Sequence, residues 1–374
     1  MEQESITLLV NGDHAFPEII RCIEQAKVSV EINMFIWRDD RIGNRMAQAI
    51  LAAADNGAKV FISVDRYGVV LEKSEECKRS FFHKEMTLSE KVTARALELF
   101  YPENSRPGQV KDAYTEIYRR VMAHPNIHVS ADVFKADHSK YYIIDDEILF
   151  LGGINIEDKE NGCDLSGRVY GDYMARLCGK TYVEAFRTKL KTGQNTLSDV
   201  LFGVNLKQPV KRFEMEQLYL KLIHEARTQL HITMAYFSPL PAFMDAIIAA
   251  HRRGVRVTIV IPEKANFQND SNRRAMRKLL KATGGGIEVC LSPRMLHTKL
   301  VMNEQTISFG STNITKKAFA QLDELNLFVR RTDSAFTQVL LNSVAADIAT
   351  ARRICSYRDI SYRRLFAFLE GFMV

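Results

Sequence analysis

Apolar residues follow two kinds of spacing along this chain, and the two kinds succeed each other twice. Residues 16–25, FPEIIRCIEQ, have the spacing of an amphipathic helix, and residues 26–37, AKVSVEINMFIW, are rich in strand-forming residues. The same order recurs in residues 215–225, MEQLYLKLIHE, and 226–237, ARTQLHITMAYF. A helix followed by a strand, repeated in this way, favours an α/β layer fold in which helices cover a central sheet.

A second pair of segments strengthens the repeat. Residues 48–65, QAILAAADNGAKVFISVD, match residues 245–262, DAIIAAHRRGVRVTIVIP. In both, the pattern predicts an alanine-rich helix that ends at a glycine, followed by a β-branched strand. The chain is therefore predicted to consist of two homologous halves, at 1–205 and 206–374.

A third repeated segment carries the candidate chemistry. HSKYYIIDDEILFLGGIN (138–155) is matched by HTKLVMNEQTISFGSTN (297–313). Each runs His-x-Lys, an apolar strand, a short polar turn, a second apolar strand, and then Gly-Gly-x-Asn or Gly-Ser-x-Asn. Alternation along a strand places His138 and Lys140 on one face. Two groups that can both be cationic, side by side, indicate an anionic ligand.

These motifs resemble those of the phospholipase D superfamily, whose two-motif members carry His-x-Lys-x4-Asp twice. The resemblance covers nearly the whole chain. Within the superfamily the bacterial cardiolipin synthases are most similar, because residues 8–43, the GGINI stretch and residues 234–257 read like that group. The resemblance implies two α/β/α sandwich halves of the phospholipase D fold, related by a pseudo-twofold axis and sharing one active site. One departure is that Glu304 stands where the second motif has aspartate.

The resemblance also implies roles for individual residues. The predicted catalytic residues are His138, Lys140, Asp145, His297, Lys299 and Glu304. The predicted phosphate-binding residues are Asn155, Ser311 and Asn313, and the predicted histidine-orienting carboxylates are Asp172 and Glu324. Asp145 and Glu304, at strand ends, are expected to brace the site rather than take part in the chemistry. Structural alternatives remain for three of these: a salt-bridge role for Asp172 and Glu324, and a turn-forming role for Ser311.

Cleavage of a phosphodiester requires cations on the non-bridging oxygens, an in-line nucleophile and an acid behind the leaving oxygen. Two His-x-Lys motifs supply all three, with one histidine forming a phosphohistidine and the other protonating the leaving alcohol. The residues do not decide which histidine attacks, and the resemblance favours His138. No metal or other cofactor is expected, because the lysines take the part of the cation.

The composition bears on the number of domains, the charge of the partner and the cellular compartment. The chain has 374 residues, enough for two domains, and a net charge of +6 that fits an anionic partner without requiring one. Its six cysteines form no Cys-x-x-Cys pair, which argues against a zinc site or a disulfide framework and favours a reducing compartment. The sequence pattern predicts neither a signal peptide nor a membrane-spanning run. The expected location is cytoplasmic, peripherally associated with the inner face of the cell membrane.

Two segments are candidates for contact with lipid. An insert at about 68–125 is predicted to form two or three amphipathic helices with aromatic residues among basic ones, namely Phe81, Phe82, Phe100 and Tyr101. The alternative is an ordinary helical subdomain over the sheet. The C-terminal segment SYRRLFAFLEGFMV suits either membrane docking or a last helix packed into the core. The basic residues of 273–283, RRAMRKLLKAT, are by default a solvated face.

The predicted function is phosphatidyl transfer from a phospholipid, such as phosphatidylglycerol, to an alcohol. Phospholipid hydrolysis, a nuclease activity and non-catalytic binding are the alternatives. Nucleic acid is not expected as a partner, because no aromatic and basic stripe is long enough to follow a strand. An anionic membrane surface is expected, and so is a monomer, since one chain carries both motifs. The sequence does not identify the acceptor alcohol.

Overall fold

The described chain divides between Arg187 and Thr188 into two units. The computed structural model describes residues 4–76, 80–82, 85–100, 115–162, 169–209 and 211–373. The sequence placed the boundary later, between residues 205 and 206. The difference is a strand at Val200–Leu206, which pairs within the sheet of the second unit and therefore belongs to it.

The first unit alternates helices and strands, as the sequence pattern predicted. Its strands are β1 (Ser5–Val10), β2 (Ser29–Met34), β3 (Lys59–Val64), β4 (Ile127–Ser130), β5 (Tyr141–Ile144), β6 (Ile148–Gly152), β7 (Tyr170–Gly171) and β8 (Tyr173–Cys178). Its helices are α1 (Gly12–Glu24), α2 (Arg41–Asp55), α3 (Tyr67–Glu76), α4 (Leu88–Leu97), α5 (Thr115–Ala123) and α6 (Lys180–Thr192), which runs across the boundary. A short 3-10 turn, Glu98–Phe100, follows α4.

The sheet of the first unit has the order β1-β8-β6-β5-β2-β3-β4. The pairs β2–β3 and β3–β4 are parallel, and the other neighbours are antiparallel. The strand that follows the first His-x-Lys motif, β5, is therefore central. A central strand is held by hydrogen bonds on both edges, so the motif starts from rigid backbone.

Helices cover both faces of this sheet. On one face, Val30 of β2 and Tyr142 of β5 join a hydrophobic core with Ile19 of α1 and Met46 of α2. On the other face, Tyr141 meets the ring of Phe186 of α6 edge-on, with centroids 5.1 Å apart. Because neighbouring side chains of a strand point to opposite faces, Tyr141 and Tyr142 mark the two layers. The unit is an α/β/α sandwich.

The second unit repeats this arrangement. Its strands are β9 (Val200–Leu206), β10 (Arg212–Phe213), β11 (Gln229–Met234), β12 (Phe237–Ser238), β13 (Arg256–Pro262), β14 (Glu288–Ser292), β15 (Met295–Leu296), β16 (Lys299–Asn303), β17 (Thr306–Gly310), β18 (Ile314–Thr315), β19 (Glu324–Arg330) and β20 (Arg352–Ile354). Its helices are α7 (Met215–Glu225), α8 (Pro241–Arg252), α9 (Asn269–Ala282), α10 (Lys316–Ala320), α11 (Ala335–Thr350) and α12 (Arg364–Met373), with a 3-10 turn at Tyr357–Asp359.

The main sheet of the second unit has the order β10-β9-β19-β17-β16-β11-β13-β14-β20. Without its two edge strands, β10 and β20, this order matches that of the first unit strand for strand. The strand β16, which begins at Lys299 of the second motif, occupies the same central place as β5. The sequence repeat is thus a repeat of the fold.

The glycines predicted to end two equivalent helices do so. Gly57 after α2 has φ +97° and Gly254 after α8 has φ +88°. Only glycine adopts this left-handed conformation without strain, and it turns the chain directly into β3 and β13.

Two aromatic residues of the insert in the first unit lie in the hydrophobic core. Phe81 and Phe82 are buried, with ring centroids 5.8 and 5.1 Å from that of Trp37. These two residues therefore cover the sheet and are not part of a lipid-facing surface. Phe100 is half-buried. Tyr101 and the PENSRPG break lie outside the described residues. In the described part of the chain, no helix combines the length and apolar character that crossing a membrane requires.

Candidate active site

The first His-x-Lys motif lies immediately before β5. His138 is 8% exposed and Lys140 is fully buried. The His138 ring meets the Phe35 ring nearly at right angles, with centroids 4.8 Å apart. The Nζ atom of Lys140 donates a hydrogen bond to the His138 carbonyl oxygen over 2.5 Å and lies 5.3 Å from the centroid of the Phe35 ring. An aromatic side chain and the main chain together fix the pair.

The second motif has the same local arrangement. His297 is 5% exposed and Lys299 is fully buried. The Tyr236 ring stands edge-on to the His297 ring, with centroids 6.3 Å apart. Lys299 also donates a hydrogen bond from Nζ to the carbonyl oxygen of its histidine. Each motif therefore presents an imidazole beside a buried ammonium, with an aromatic residue supplied by the chain just past the neighbouring strand.

Burying an ammonium group is costly, so a lysine at this depth needs compensating negative charge or hydrogen bonds. Lys140 and Lys299 are among the few cations that are fully buried in the described residues. A negatively charged ligand at such a group interacts in a low dielectric, where attraction is far less screened than in water. The motifs are suited to an anion.

A polar network that the sequence did not reveal supports the segment before β5. The amide nitrogen of Asn33 donates to an Asp137 carboxylate oxygen over 2.9 Å and to the Ser139 hydroxyl oxygen over 3.1 Å. Ser139 in turn donates to Asp137, and Asp65 accepts the backbone N–H of Asp137 over 2.6 Å. Burial raises the pKa of Asp65. Residues on both sides of His138 are thereby anchored.

The Gly-x-x-Asn turns place two asparagines in buried positions. Asn155 is 2% exposed, and among the described residues its Oδ1 atom has no hydrogen-bond partner. Asn313 is 6% exposed and accepts the Tyr236 backbone N–H over 3.3 Å. Because a half-turn of an amide exchanges its oxygen and nitrogen without changing its shape, Asn155 can offer a ligand either an acceptor or a donor.

The two carboxylates predicted to orient histidines occupy equivalent places. Gly152 pairs with Met174 and Gly310 pairs with Asn326, so the register aligns Asp172 with Glu324. Both side chains are buried. Asp172 accepts the backbone N–H of Tyr173 over 2.8 Å, and Glu324 accepts the hydroxyl of Ser311. Their role toward the histidines remains a prediction, whereas the Ser311 contact links a predicted phosphate-binding residue to one of them.

Asp145 and Glu304, included in the predicted catalytic group, lie at the far ends of their strands. Asp145 accepts the backbone N–H groups of residues 27–29 over 2.7 to 2.9 Å. Glu304 accepts those of residues 227–229 over 2.9 to 3.4 Å. Each lies seven positions after its histidine along a mostly extended segment, a distance of roughly 20 Å between Cα atoms. These contacts fix the start of β2 and β11, which favours the bracing role over a chemical one.

Burial raises the pKa of Glu304, but the backbone N–H groups that it accepts outweigh this effect and lower its pKa overall. The methylene by which Glu304 exceeds aspartate leaves this cap intact. The departure from the superfamily motif is therefore structurally tolerated in the described fold.

A run of charges after Asn155 is unexpectedly buried. Arg38, fully buried, is 2.5 Å from a carboxylate oxygen of Glu157, and the Lys159 ammonium is 3.3 Å from the same oxygen. Asp158 accepts the backbone N–H of Ile42 at the start of α2 over 2.8 Å. Sequence reasoning missed this cluster because a charge run is usually solvated. The only signal was the position of the run EDKE directly after a buried turn.

Comparison with known proteins gives these motifs a context. The family described as "Cardiolipin synthase, PLD-like domain" matches residues 19–165 and 219–347, more than half of the chain. Each matched segment contains one His-x-Lys motif. The family match therefore follows the twofold repeat.

Individual relatives agree with the family match. The chain is 26% identical to cardiolipin synthase B of Escherichia coli (strain K12), over 93% of this chain and 81% of the relative. It is 24% identical to the major cardiolipin synthase ClsA of Bacillus subtilis (strain 168), over 98% of this chain and 73% of the relative. The crystal structure of phosphatidylserine synthase from Haemophilus influenzae Rd KW20 shares the fold, with a TM-score of 0.72, 13% identity and coverage of 98% and 92%. The chain belongs to the phospholipase D superfamily, in its cardiolipin synthase, PLD-like domain family.

Proposed function

We propose that this protein is a phosphatidyltransferase of the cardiolipin synthase type, which moves a phosphatidyl group from a phospholipid to an alcohol. The observation that carries the proposal is the pair of buried His-x-Lys motifs, each beginning a central strand in its own unit. The similarity to cardiolipin synthases over most of the chain supports a phospholipid as the substrate. We propose phosphatidylglycerol as the donor.

In the proposed mechanism, both motifs act on one phosphodiester. A ring nitrogen of one histidine attacks phosphorus, an N–P bond forms, and the P–O bond to the leaving alcohol breaks. The other histidine, protonated, gives its proton to that alcohol oxygen. In the second step this histidine takes a proton from the acceptor alcohol, whose oxygen attacks phosphorus as the N–P bond breaks. We assign the nucleophile to His138 and the acid and base to His297.

The lysines and asparagines act on the charge that builds up at phosphorus. Lys140 and Lys299 bind the non-bridging oxygens, where their ammonium groups replace a metal cation in the proposed chemistry. Asn155 has an amide atom available for a further hydrogen bond, and we assign it with Asn313 to the same oxygens or to a substrate hydroxyl. Removing one such donor typically costs about 10²-fold to 10³-fold in kcat. Metal independence is part of the proposal.

The carboxylates Asp172 and Glu324 are proposed to orient the histidines. A histidine that acts as nucleophile must keep one ring nitrogen free and hold its proton on the other. A buried carboxylate favours that arrangement and stabilises the imidazolium form. Ser311, which donates to Glu324, would then hold the carboxylate in place.

The enzyme is proposed to work as a monomer, peripherally bound at the cytoplasmic face of an anionic membrane, where its substrate is present. Hydrolysis is the main alternative, because water can replace the acceptor alcohol in the second step. Which reaction dominates depends on how well the pocket excludes water. A nuclease would use the same chemistry on a different phosphodiester.

Lipid mass spectrometry of cells that make the protein distinguishes these functions. We expect cardiolipin to rise with the wild-type chain and not with His138→Ala. His14→Ala is the matched control, because His14 is exposed beside Asp13 and belongs to neither motif. A rise of phosphatidic acid in place of cardiolipin would indicate hydrolysis. Unchanged lipids together with degradation of nucleic acid by the purified protein would contradict the proposal.

The nucleophile can be identified with a substrate whose leaving group needs no acid, such as a phosphatidyl ester of nitrophenol. With this substrate, His297→Ala should still form the covalent intermediate and then release it slowly. Intact-protein mass spectrometry should therefore detect a phosphatidyl adduct on His297→Ala and none on His138→Ala. The reverse pattern would assign the nucleophile to His297.

A further inference from the structure

Helix α12 has one face that is firmly packed. Ala367 and Glu370 are each 1% exposed. The Glu370 carboxylate accepts the backbone N–H of Ser271 over 2.6 Å, and the Ala367 carbonyl oxygen accepts the hydroxyl of the same serine over 3.3 Å. Both contacts are with the first turn of α9. The helix is thus part of the second unit and has a fixed orientation on it.

The opposite face of α12 is apolar and exposed. Leu365, Phe368 and Leu369 are 66%, 54% and 38% exposed. Residues three and four positions apart share one side of a helix, so these three side chains form one patch. We call it the α12 patch. Large apolar side chains concentrated on one exposed face are typical of an interaction surface rather than of an ordinary protein surface.

Basic residues are frequent in the sequence just before the α12 patch and in α9, whose first turn packs on the other face of α12. Residues 352–364 contain five arginines and one acidic residue, and α9 contains five basic residues and one acidic residue. Arg364 is exposed and lies one helical turn before Phe368. The acidic residue of α9, Asp270, is already paired with Arg363 over 2.8 Å. Arg352 and Arg353 are likewise paired, with Glu263 and Glu288, so Arg364 is the exposed cation on the helix that carries the patch.

Two cations of α9 show how crowded the positive charge is. Burial of part of the side chain, and then the neighbouring Arg274, lower the pKa of Lys278. Like charges at such spacing are unfavourable in the isolated protein and become favourable when an anionic surface approaches. The sequence predicted that these basic residues form a solvated face, and Lys278 is exposed in the structure.

We propose that the α12 patch docks the protein on an anionic phospholipid bilayer. Leu365, Phe368 and Leu369 enter the interface below the headgroups, and Arg364 contacts the phosphates. A ten-residue helix with apolar side chains on one face and an exposed arginine at its start fits the plane of a membrane interface. The choice of a membrane as partner rests on the proposed function, which requires a lipid substrate.

Vesicle sedimentation with the full chain tests this surface. The probe is vesicles of phosphatidylglycerol and phosphatidylcholine in equal parts, compared with phosphatidylcholine alone. We expect the triple variant Leu365→Ser, Phe368→Ser, Leu369→Ser to reduce partitioning onto the mixed vesicles by at least ~10-fold. Arg364→Gln should reduce it by about fivefold, with little change on phosphatidylcholine. Circular dichroism and gel filtration verify that both variants are folded.

The matched control lies in the first unit. Helix α4 also exposes apolar side chains, with Leu88 80% and Val92 63% exposed. The double variant Leu88→Ser, Val92→Ser should leave vesicle binding unchanged. The proposal is overturned if this control loses binding while the triple variant keeps it. It is also overturned if wild-type binding is independent of phosphatidylglycerol. The same holds if the triple variant keeps vesicle binding and instead fails to bind a protein that the wild-type chain binds.

A second measurement separates docking from catalysis. On a short-chain phospholipid dissolved as monomers, the triple variant should retain wild-type activity, because the α12 patch does not contact the reacting atoms. On vesicles its activity should fall in parallel with binding. His138→Ala should show the opposite combination, with normal vesicle binding and no activity on either substrate. Absence of activity in the wild-type chain with vesicle binding intact would refute the proposed function and leave the docking surface standing.

Discussion

The hydroxyl of Ser311 donates a hydrogen bond to the buried carboxylate of Glu324. The equivalent carboxylate of the first unit, that of Asp172, is accommodated in a different way. A Cβ atom added to Gly153, the counterpart of Ser311, would lie 2.2 Å from a carboxylate oxygen of Asp172. In one half a glycine makes room for a carboxylate that sits directly against the turn. In the other half a serine fills that room and holds a longer carboxylate.

This difference predicts a double-mutant cycle. Gly153→Ser should displace Asp172, reduce kcat by at least ~10-fold and lower the free energy of unfolding by about 1–3 kcal/mol, since it overpacks a buried site. Adding Asp172→Glu installs the pair found in the second unit and should restore at least half of both losses. Steady-state kinetics and urea denaturation of the four proteins measure the coupling. Additive effects of the two changes would show that the residues do not form a unit.

Gly371→Ala provides the control for the added side chain. Its new Cβ atom would meet nothing within 4 Å, and it lies inside α12. Replacing an exposed helical glycine by alanine typically stabilises by roughly 0.5–1 kcal/mol. We therefore expect unchanged kcat and a slight gain in stability.

The capping role of Asp145 leads to a second prediction. Asp145→Asn keeps the shape of the side chain but weakens its hydrogen bonds to three backbone N–H groups. We expect the free energy of unfolding to fall by about 1–3 kcal/mol, while kcat stays within about threefold of the wild type. Lys140→Met should show the reverse pattern, in which kcat falls by at least ~10²-fold and the free energy of unfolding changes less than kcat does. A comparable loss of kcat in both variants would place Asp145 in the chemistry after all.

Glu304 predicts a specific dependence on acid. Its pKa in the folded chain is lowered from its ordinary value of 4.5. The charged form therefore stabilises the fold above that value, and the contribution is lost as the pH falls through the lower, folded pKa. Glu304→Gln should be less stable than the wild type at neutral pH, and the gap in urea midpoint should narrow below pH ~4.5. A gap that stays constant with pH would indicate that the charge contributes nothing to the cap.

Much of the fold could be predicted because its determinants are local and repeated. The glycines at 57 and 254, the apolar strands and the two His-x-Lys motifs each follow from a short stretch of sequence that occurs twice. The sheet to which β9 belongs could not be predicted from a short stretch of sequence, because the pairing of β9 with β19 joins residues more than one hundred positions apart. Local pattern shows that a strand exists and does not show which sheet it joins.

The site was predicted less completely than the fold. His138 and Lys140 are marked by their motif, but Asn33, Asp65 and Asp137 come from separate segments and carry no pattern of their own. Their hydrogen bonds exist only once β2, β3 and the segment before β5 are side by side. The burial of Glu157 and Lys159 was missed for a related reason, because charge pairing in the interior depends on partners that are distant in sequence.

A last prediction concerns a histidine outside both motifs. His231 in β11 is 7% exposed, and burial lowers its pKa from 6.5 to about 4. Its Nε2 atom is 2.7 Å from the Thr233 hydroxyl oxygen. Below pH 6.5 the unfolded chain takes up a proton that the folded chain does not, so stability falls as the pH decreases toward about 4. The full effect amounts to about 3 kcal/mol.

His231→Val removes this proton uptake and should flatten the stability profile between pH ~6.5 and ~4. The variant also deprives Thr233 of its partner, which lowers stability equally at every pH, so the slope is the quantity to compare. Urea denaturation at several pH values measures it, with His224→Gln on α7 as the control that should keep the wild-type slope. If His231→Val retained that slope, the acid sensitivity would have to come from other groups, and the imidazole in β11 would be protonated in the folded protein as readily as in the unfolded chain.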